Sequence, residues 1–335
     1  LPRQRGLGGV AHERRAVNGI PMQRGELSVV VCTYGRDRSL SATIQSLAHQ
    51  TIPVQDYEVL IVDNTPGESG VPVAVSELRR AFFAQYPDHL RFVNCPIQGL
   101  SHARNAGLSE ARGEIVCFID DDAVACTDWL EQIVAAYEGR PQTAVVGGHI
   151  RLQPPEPRPQ VLRDGLEPYW SQFITPYVSY TEVDDWSEFP WGANWSARRK
   201  LLLEIGGFRT AYGRKGSDYG GGEELVAAAQ LHSLGYKIAV NPQAQVLHVV
   251  DRARFHRRHL WRTILASTLV AYRAQRDGYT PRRASVWSVA PALQNWRSST
   301  GYPDVFLMRI AARLAVTLYS IRDSLQDQLH ARPPS

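Results

Sequence analysis

Glu114-Ile115-Val116-Cys117-Phe118-Ile119-Asp120-Asp121-Asp122-Ala123 is the stretch on which the reading of this chain turns. Its apolar residues run without alternation, too few for a helix that buries itself, so they read as a strand covered on both faces, as in a parallel sheet. The strand then stops on three carboxylates. Adjacent like charges are costly unless water or a cation neutralises them, and hard oxygen ligands suit Mg²⁺ or Mn²⁺. A solvated loop is the plainer reading of an isolated acidic triplet.

Outward from there the same form recurs. LSVVVCT (27–33) and YEVLIVD (57–63) are strands of this kind, and Leu40, Ile44, Leu47 and Ala48 between them fall at helical spacing, which makes a βαβ unit. A helix around 73–86, a strand at 90–94 and a helix from Ser101 to Ala111 lead into the acidic strand. Beyond it come a helix (127–138), a strand (144–151), a proline-rich connector (153–159), a helix (223–234) and the strands YKIAV and VLHVV. This predicts an α/β fold, a Rossmann-like α/β/α sandwich around a mainly parallel sheet. Ligands of such sheets gather beyond the carboxyl ends of the strands, which here carry Thr33-Tyr34-Gly35-Arg36, Asp63-Asn64 and Asp120-Asp121-Asp122.

Composition sets the outer limits. The 335 residues carry 37 Lys and Arg against 33 Asp and Glu, a net +4 too small for a nucleic-acid coat. The charge is uneven: nine arginines against two aspartates lie between Asp251 and Ser285. Three segments are expected: a loose basic arm (1–26) without the apolar core of a signal peptide, a catalytic domain (27–251), and a basic, mainly helical C-terminal region (252–335). Four cysteines without CxxC pairing point to a reducing compartment, hence a cytoplasmic protein. No uncharged apolar run approaches the length of a membrane span.

Read in order, SVVVCTYGR, YEVLIVDN, QGLSHARNAGLSEARGEIVCFIDDDA, WGANWSARR, GGEELV and VLHVV resemble the successive motifs of glycosyltransferase family 2. The resemblance runs from about Leu27 to Val250. It implies a GT-A fold and an inverting, metal-dependent enzyme that moves a sugar from a nucleotide-sugar donor (UDP-, GDP- or dTDP-linked) to an acceptor hydroxyl or amine. By the same resemblance Thr33, Tyr34, Arg36 and Asp63 form the nucleoside pocket, and Arg104 approaches the base or the phosphates. Asp120 and Asp121 contact the ribose or help hold the metal. Asp122 is the main acidic ligand, and His248 completes the metal sphere. Trp191, Gly192 and Asn194 lie beside the donor sugar. The family's general base is the second acid of a Glu-Asp pair after glycines; here the pair is Glu223-Glu224, which makes Glu224 the base.

Other readings stay open at this stage. Glu223 and Glu224 also suit a helix N-terminus electrostatically. Tyr169–Trp195 holds nine aromatics in 27 residues, which fits an acceptor surface or a core. The glycine-rich run YGRKGSDYGGG (212–222) reads as a flexible lid. The apolar stripe Leu260, Trp261, Ile264, Leu265 and Leu269 must be covered by protein, in the same chain or in a homodimer, or by a membrane surface serving a lipid-linked acceptor. A nucleotidyltransferase is a rival, but CTYGRDRSL is a poor phosphate loop. A non-catalytic binding protein of the same fold is another, and the presence of acids, histidine and base together counts against it.

Overall fold

A computed structural model describes residues 27–35, 37–67, 73–84, 87–216, 220–280 and 302–330. The strands are β1 (Leu27–Thr33), β2 (Tyr57–Asp63), β3 (Leu90–Asn94), β4 (Ile115–Asp120), β5 (Ala123–Ala125), β6 (Thr143–Gly147), β7 (Ile150–Gln153), β8 (Thr181–Val183), β9 (Asn194–Arg198), β10 (Lys237–Val240) and β11 (Val246–Val249). The helices are α1 (Asp37–Ala48), α2 (Val73–Phe82), α3 (Leu100–Glu110), α4 (Trp129–Tyr137), α5 (Arg199–Glu204), α6 (Glu223–Ser233), α7 (Arg257–Arg276) and α8 (Pro303–His330).

Eight strands form one sheet in the order β3-β2-β1-β4-β9-β6-β10-β8. The β3-β2-β1-β4 half is parallel, as continuous burial of β1 and β2 requires. The chain runs outward from β1 to β2 to β3 through α1 and α2, then returns through α3 to β4. With right-handed crossovers, that reversal puts α3 on the opposite face and opens a crevice at the carboxyl ends of β1 and β4. Helix α3 lies close on the sheet: a Cβ at Gly107 would stand 2.4 Å from Val30 Cγ1.

The expected strand 144–151 is broken in two, and the halves belong to different sheets. Gly147-Gly148 is the break. A Cβ at 148 would lie 1.8 Å from the Ala244 carbonyl oxygen and one at 147 only 2.1 Å from Pro190, so the chain passes there because these residues have no side chain. The second half, β7, joins β11 and β5 in a three-stranded sheet, order β5-β11-β7. His248 therefore sits not on the last strand of the main sheet but on the middle of a small one, where β11 pairs with β5 immediately after the acidic triplet.

The arm 1–26 and Arg282 and Arg283 lie outside the described residues. Leu260 and Ile264 of α7 are buried with Leu162, Leu166 and Trp170 and with Val305 and Ala312 of α8, and Trp261 and Leu265 pack partly buried against them, so the chain itself covers most of that stripe. Further along α7, Val270, Ala271 and Ala274 join the main core. Asp304 at the start of α8 takes Arg163 and Arg257, each at 3.1 Å. Among the described residues, no helix is long and apolar enough to cross a membrane.

Candidate active site

The acidic triplet spans the gap between the two sheets, and its members separate. Asp121 turns inward, accepting the Thr33 hydroxyl at 2.8 Å, while its carbonyl accepts Thr43 at 3.1 Å. Asp122 is buried between two partners: Oδ1 lies 3.0 Å from His248 Nε2, and Oδ2 accepts Arg254 Nη1 at 3.2 Å. Asp120 remains partly exposed at the cleft. Ligand atoms of Asp120, Asp122 and His248 all fall within 4.8 Å of one another. His248 Nδ1 faces the Trp170 carbonyl at 3.1 Å, so it must carry hydrogen and leaves Nε2 to the carboxylates. Burial alone would lower the His248 pKa, but the adjacent Asp122 carboxylate outweighs it and raises it. Two carboxylates and an oriented imidazole form a donor set that fits Mn²⁺ or Mg²⁺.

Across the cleft, Gly222 holds φ +86° as the residue before α6, and the helix opens on Glu223-Glu224. Arg104, buried on α3, donates to Glu223 Oε1 at 2.7 Å and lies 3.5 Å from Glu224 and 3.5 Å from Asp120. Burial would lower its pKa, but these three carboxylates hold it firmly charged. Arg104 thus lines the cleft as an internal counter-ion that ties the start of α6 to the acidic strand end. Glu224 also accepts the Gly192 amide at 3.3 Å. Burial first, and then the neighbouring Glu223, push the Glu224 carboxyl up to about 7 against the pull of Arg104.

Gly192 is where that network is most easily broken, because a Cβ there would lie 2.3 Å from Arg104 Nη2. The guanidinium cannot retreat without loosening its carboxylates. Gly192→Ala is expected to cost about 1–2 kcal/mol in stability and to lower activity about tenfold, read by urea unfolding and by initial rates. Wild-type behaviour in both would show that Arg104 has room to move.

These residues surround a cavity of about 260 Å³, lined also by Tyr34, Gln98, Trp191 and Arg214. Not every residue expected there reaches it. Thr33 does, but its hydroxyl is committed to Asp121. Asp63 is buried behind the wall, accepting the Thr65 amide at 2.9 Å; its neighbour Asn64 lines the cleft instead and holds the Gly99 amide at 2.7 Å. Arg36 and residues 217–219 lie outside the described residues. Asn194 points away from the cleft into the core. It accepts Trp129 Nε1 at 2.8 Å and donates to the carbonyls of His149 and Ala244 at 3.0 and 2.8 Å. Asn194→Ala should therefore cost about 3 kcal/mol, through three buried groups left unpaired, with nucleotide affinity per folded molecule unchanged. Urea unfolding and calorimetric titration check the two halves separately.

The aromatic section is mostly core: Trp170, Phe173, Trp186, Phe189 and Trp195 are buried. Trp191 is the member that flanks the main cleft. Arg254 and Arg214 were not singled out from the sequence as site residues. Arg254 is delivered by a short turn capped by Asp251, whose Oδ1 accepts the Ala253 amide at 2.7 Å. Its spacing six residues after His248 was the available signal.

A mainly parallel α/β sandwich with an acidic strand end, a facing histidine and a glutamate pair across the cleft defines a sugar-transferring enzyme of GT-A type. The family model described as glycosyl transferase family 2 matches residues 28–206, and the chain belongs to that family. The glucosyl-dolichyl phosphate glucuronosyltransferase of Haloferax volcanii is 30% identical over 226 residues, 67% of this chain and 69% of the relative. The succinoglycan biosynthesis protein ExoM of Rhizobium meliloti is 26% identical over 242 residues, 70% of each. Among solved structures, the mannosyltransferase PcManGT of Pyrobaculum calidifontis, in complex with GDP-Man and Mn²⁺, matches 96% of this chain and 85% of its own at TM-score 0.58 and 20% identity, a likeness of fold.

Proposed function

We propose that the enzyme transfers a sugar from a nucleotide-sugar donor to an acceptor by single displacement with inversion, Glu224 serving as general base. The observation that carries this is the Arg104 guanidinium, which touches Asp120 on one side and Glu223-Glu224 on the other. The acidic strand end and the base thus stand one guanidinium apart, as a displacement at an anomeric carbon held between them requires. A hydroxyl activated at Glu224 attacks from the side opposite the diphosphate, which inverts the anomeric centre.

Asp122, Asp120 and His248 would hold a divalent ion, which the Mn²⁺ in PcManGT supports as a class of cofactor. When bound, such an ion supplies Lewis-acid stabilisation of the charge developing on the leaving diphosphate. The chain's own groups do the rest. Tyr34 and Gln98, hydrogen-bonded at 2.9 Å, form the nucleoside wall. Gly192 and Trp191 border the donor sugar. Glu224 receives the acceptor proton at a carboxylate whose affinity for it suits neutral pH. Glu223, almost wholly buried, keeps Arg104 in place.

Titration with UDP, GDP and dTDP, with and without Mn²⁺, tests the donor site, and NMR of the product's anomeric configuration tests the displacement. Metal-independent binding of all three nucleotides, or retained configuration, refutes the corresponding half.

A further inference from the structure

A second cavity of about 190 Å³ adjoins the donor cleft. The two share Ser171, Trp191, Arg214, Glu224, Arg254 and the glycines 220–222, so Glu224 stands on their common border. The far wall is α7, which contributes Thr263, Ala266 and Ser267 and lies beyond the 28–206 span matched by the family model. Helix α7 is pressed onto the residue just before α6: a Cβ at Gly222 would stand 2.6 Å from Val270 Cγ1, and Val270 belongs to the main core. The wall and the base are therefore fixed relative to each other.

The two cavities differ in charge. The donor cleft carries the three consecutive aspartates, whereas Glu224 is the single carboxylate among the described residues lining the second cavity, against Arg214 and Arg254. Arg254 also pairs with Asp122. His259, at the cavity's edge, is held down to about 3, chiefly by burial and to a lesser degree by Arg254 and Arg214. The hydroxyls on α7 donate to their own helix, Thr263 to the His259 carbonyl at 3.0 Å and Ser267 to the Thr263 carbonyl at 2.8 Å. Having donated, each hydroxyl keeps oxygen lone pairs that can accept from sugar hydroxyls.

Resting on the assignment of Glu224 as base, we infer that this cavity is the acceptor subsite and that it takes a glycoside bearing an oxyanion, phosphate or carboxylate. Arg214 and Arg254 match its charge, Thr263 and Ser267 its hydroxyls, and Trp191 the face of its ring. The acceptor hydroxyl then gives its proton to Glu224 as its oxygen bonds to the donor's anomeric carbon and the diphosphate leaves with the bonding pair.

The test fills the donor cleft first, with Mn²⁺ and a saturating concentration of whichever nucleoside diphosphate binds best. Glucose 1-phosphate, methyl glucuronide and methyl glucoside are then titrated by calorimetry. At least one anionic probe should bind about tenfold or more tighter than methyl glucoside. The tighter of the two anions identifies phosphate or carboxylate as the source of the charge. Arg214→Gln should abolish the preference, and Ser267→Phe, which fills the cavity from α7, should abolish binding of all three probes while the unfolding midpoint stays near wild type. Equal binding of the three, no binding of any, a preference that survives Arg214→Gln, or undiminished binding in a folded Ser267→Phe overturns the inference. Failure of every nucleoside diphosphate to bind with Mn²⁺ would instead strike the donor-site assignment, so the two failures are separable. If Ser267→Phe does not fold, Arg214→Gln still decides.

Discussion

Glu224→Gln is expected to leave donor binding within a few-fold of wild type while transfer falls about 10²-fold or more. The amide keeps the size of the side chain and its acceptance of the Gly192 amide but has no basicity. The wild-type pH profile belongs to the same prediction. Only the deprotonated carboxylate can receive the acceptor proton, and burial with Glu223 alongside raises its pKa to about 7. At saturating metal and donor, the wild-type rate should fall about tenfold per pH unit well below 7 and level off above it. The residual rate of Glu224→Gln should lack that dependence. An active Glu224→Gln enzyme beside a dead Glu223→Gln one would move the base to Glu223, and a rate flat from pH 5 to 8 would contradict the perturbed carboxylate.

Asp122→Ala should abolish metal-dependent donor binding. Both carboxylate oxygens are engaged, one by His248 and one by Arg254, so truncation removes a ligand and the group that orients both of these side chains. Loss of a partner behind a ligand already costs 10- to 100-fold in metal affinity, so loss of the ligand itself should cost about 10²-fold or more. His248→Ala should cost less, about tenfold, because the two carboxylates remain. The comparison is made by titrating the nucleoside diphosphate with and without Mn²⁺. If the affinity of Asp122→Ala still depends on metal as the wild type does, the ion is held elsewhere.

Much of this site was readable before the structure because its signals are local. A strand buried on both faces declares itself by five apolar residues in succession, and the residues just after it must lie at the sheet edge, so Asp120 to Asp122 were placed by position alone. Glycines before Glu223-Glu224 marked a helix start in the same way. Where side-chain direction mattered, local signals gave out. WGANWSARR placed a segment at the cleft, but Gly192 borders it while Asn194, two residues on, serves the core through three hydrogen bonds. Asp63 lies behind the wall while Asn64 lines the cleft for the same reason, since neighbours on a strand end face opposite ways.

From the sequence alone came the class of fold, the acidic strand end and the glutamate pair, because burial, strand length and helix starts are written in consecutive residues, and the family came from the resemblance of six motifs in order. Tertiary structure decided the rest. It showed the small second sheet that carries His248 to Asp122, turned Arg104 into the bridge between the acidic strand end and Glu223-Glu224, brought Arg254 back onto the acidic triplet, and set α7 as the wall of a second cavity. His248 and Asp122 are 126 positions apart, Arg104 and Glu224 120, and Arg254 and Asp122 132. Pairing across such distances follows from how sheets and helices pack, and no periodicity along the chain encodes it.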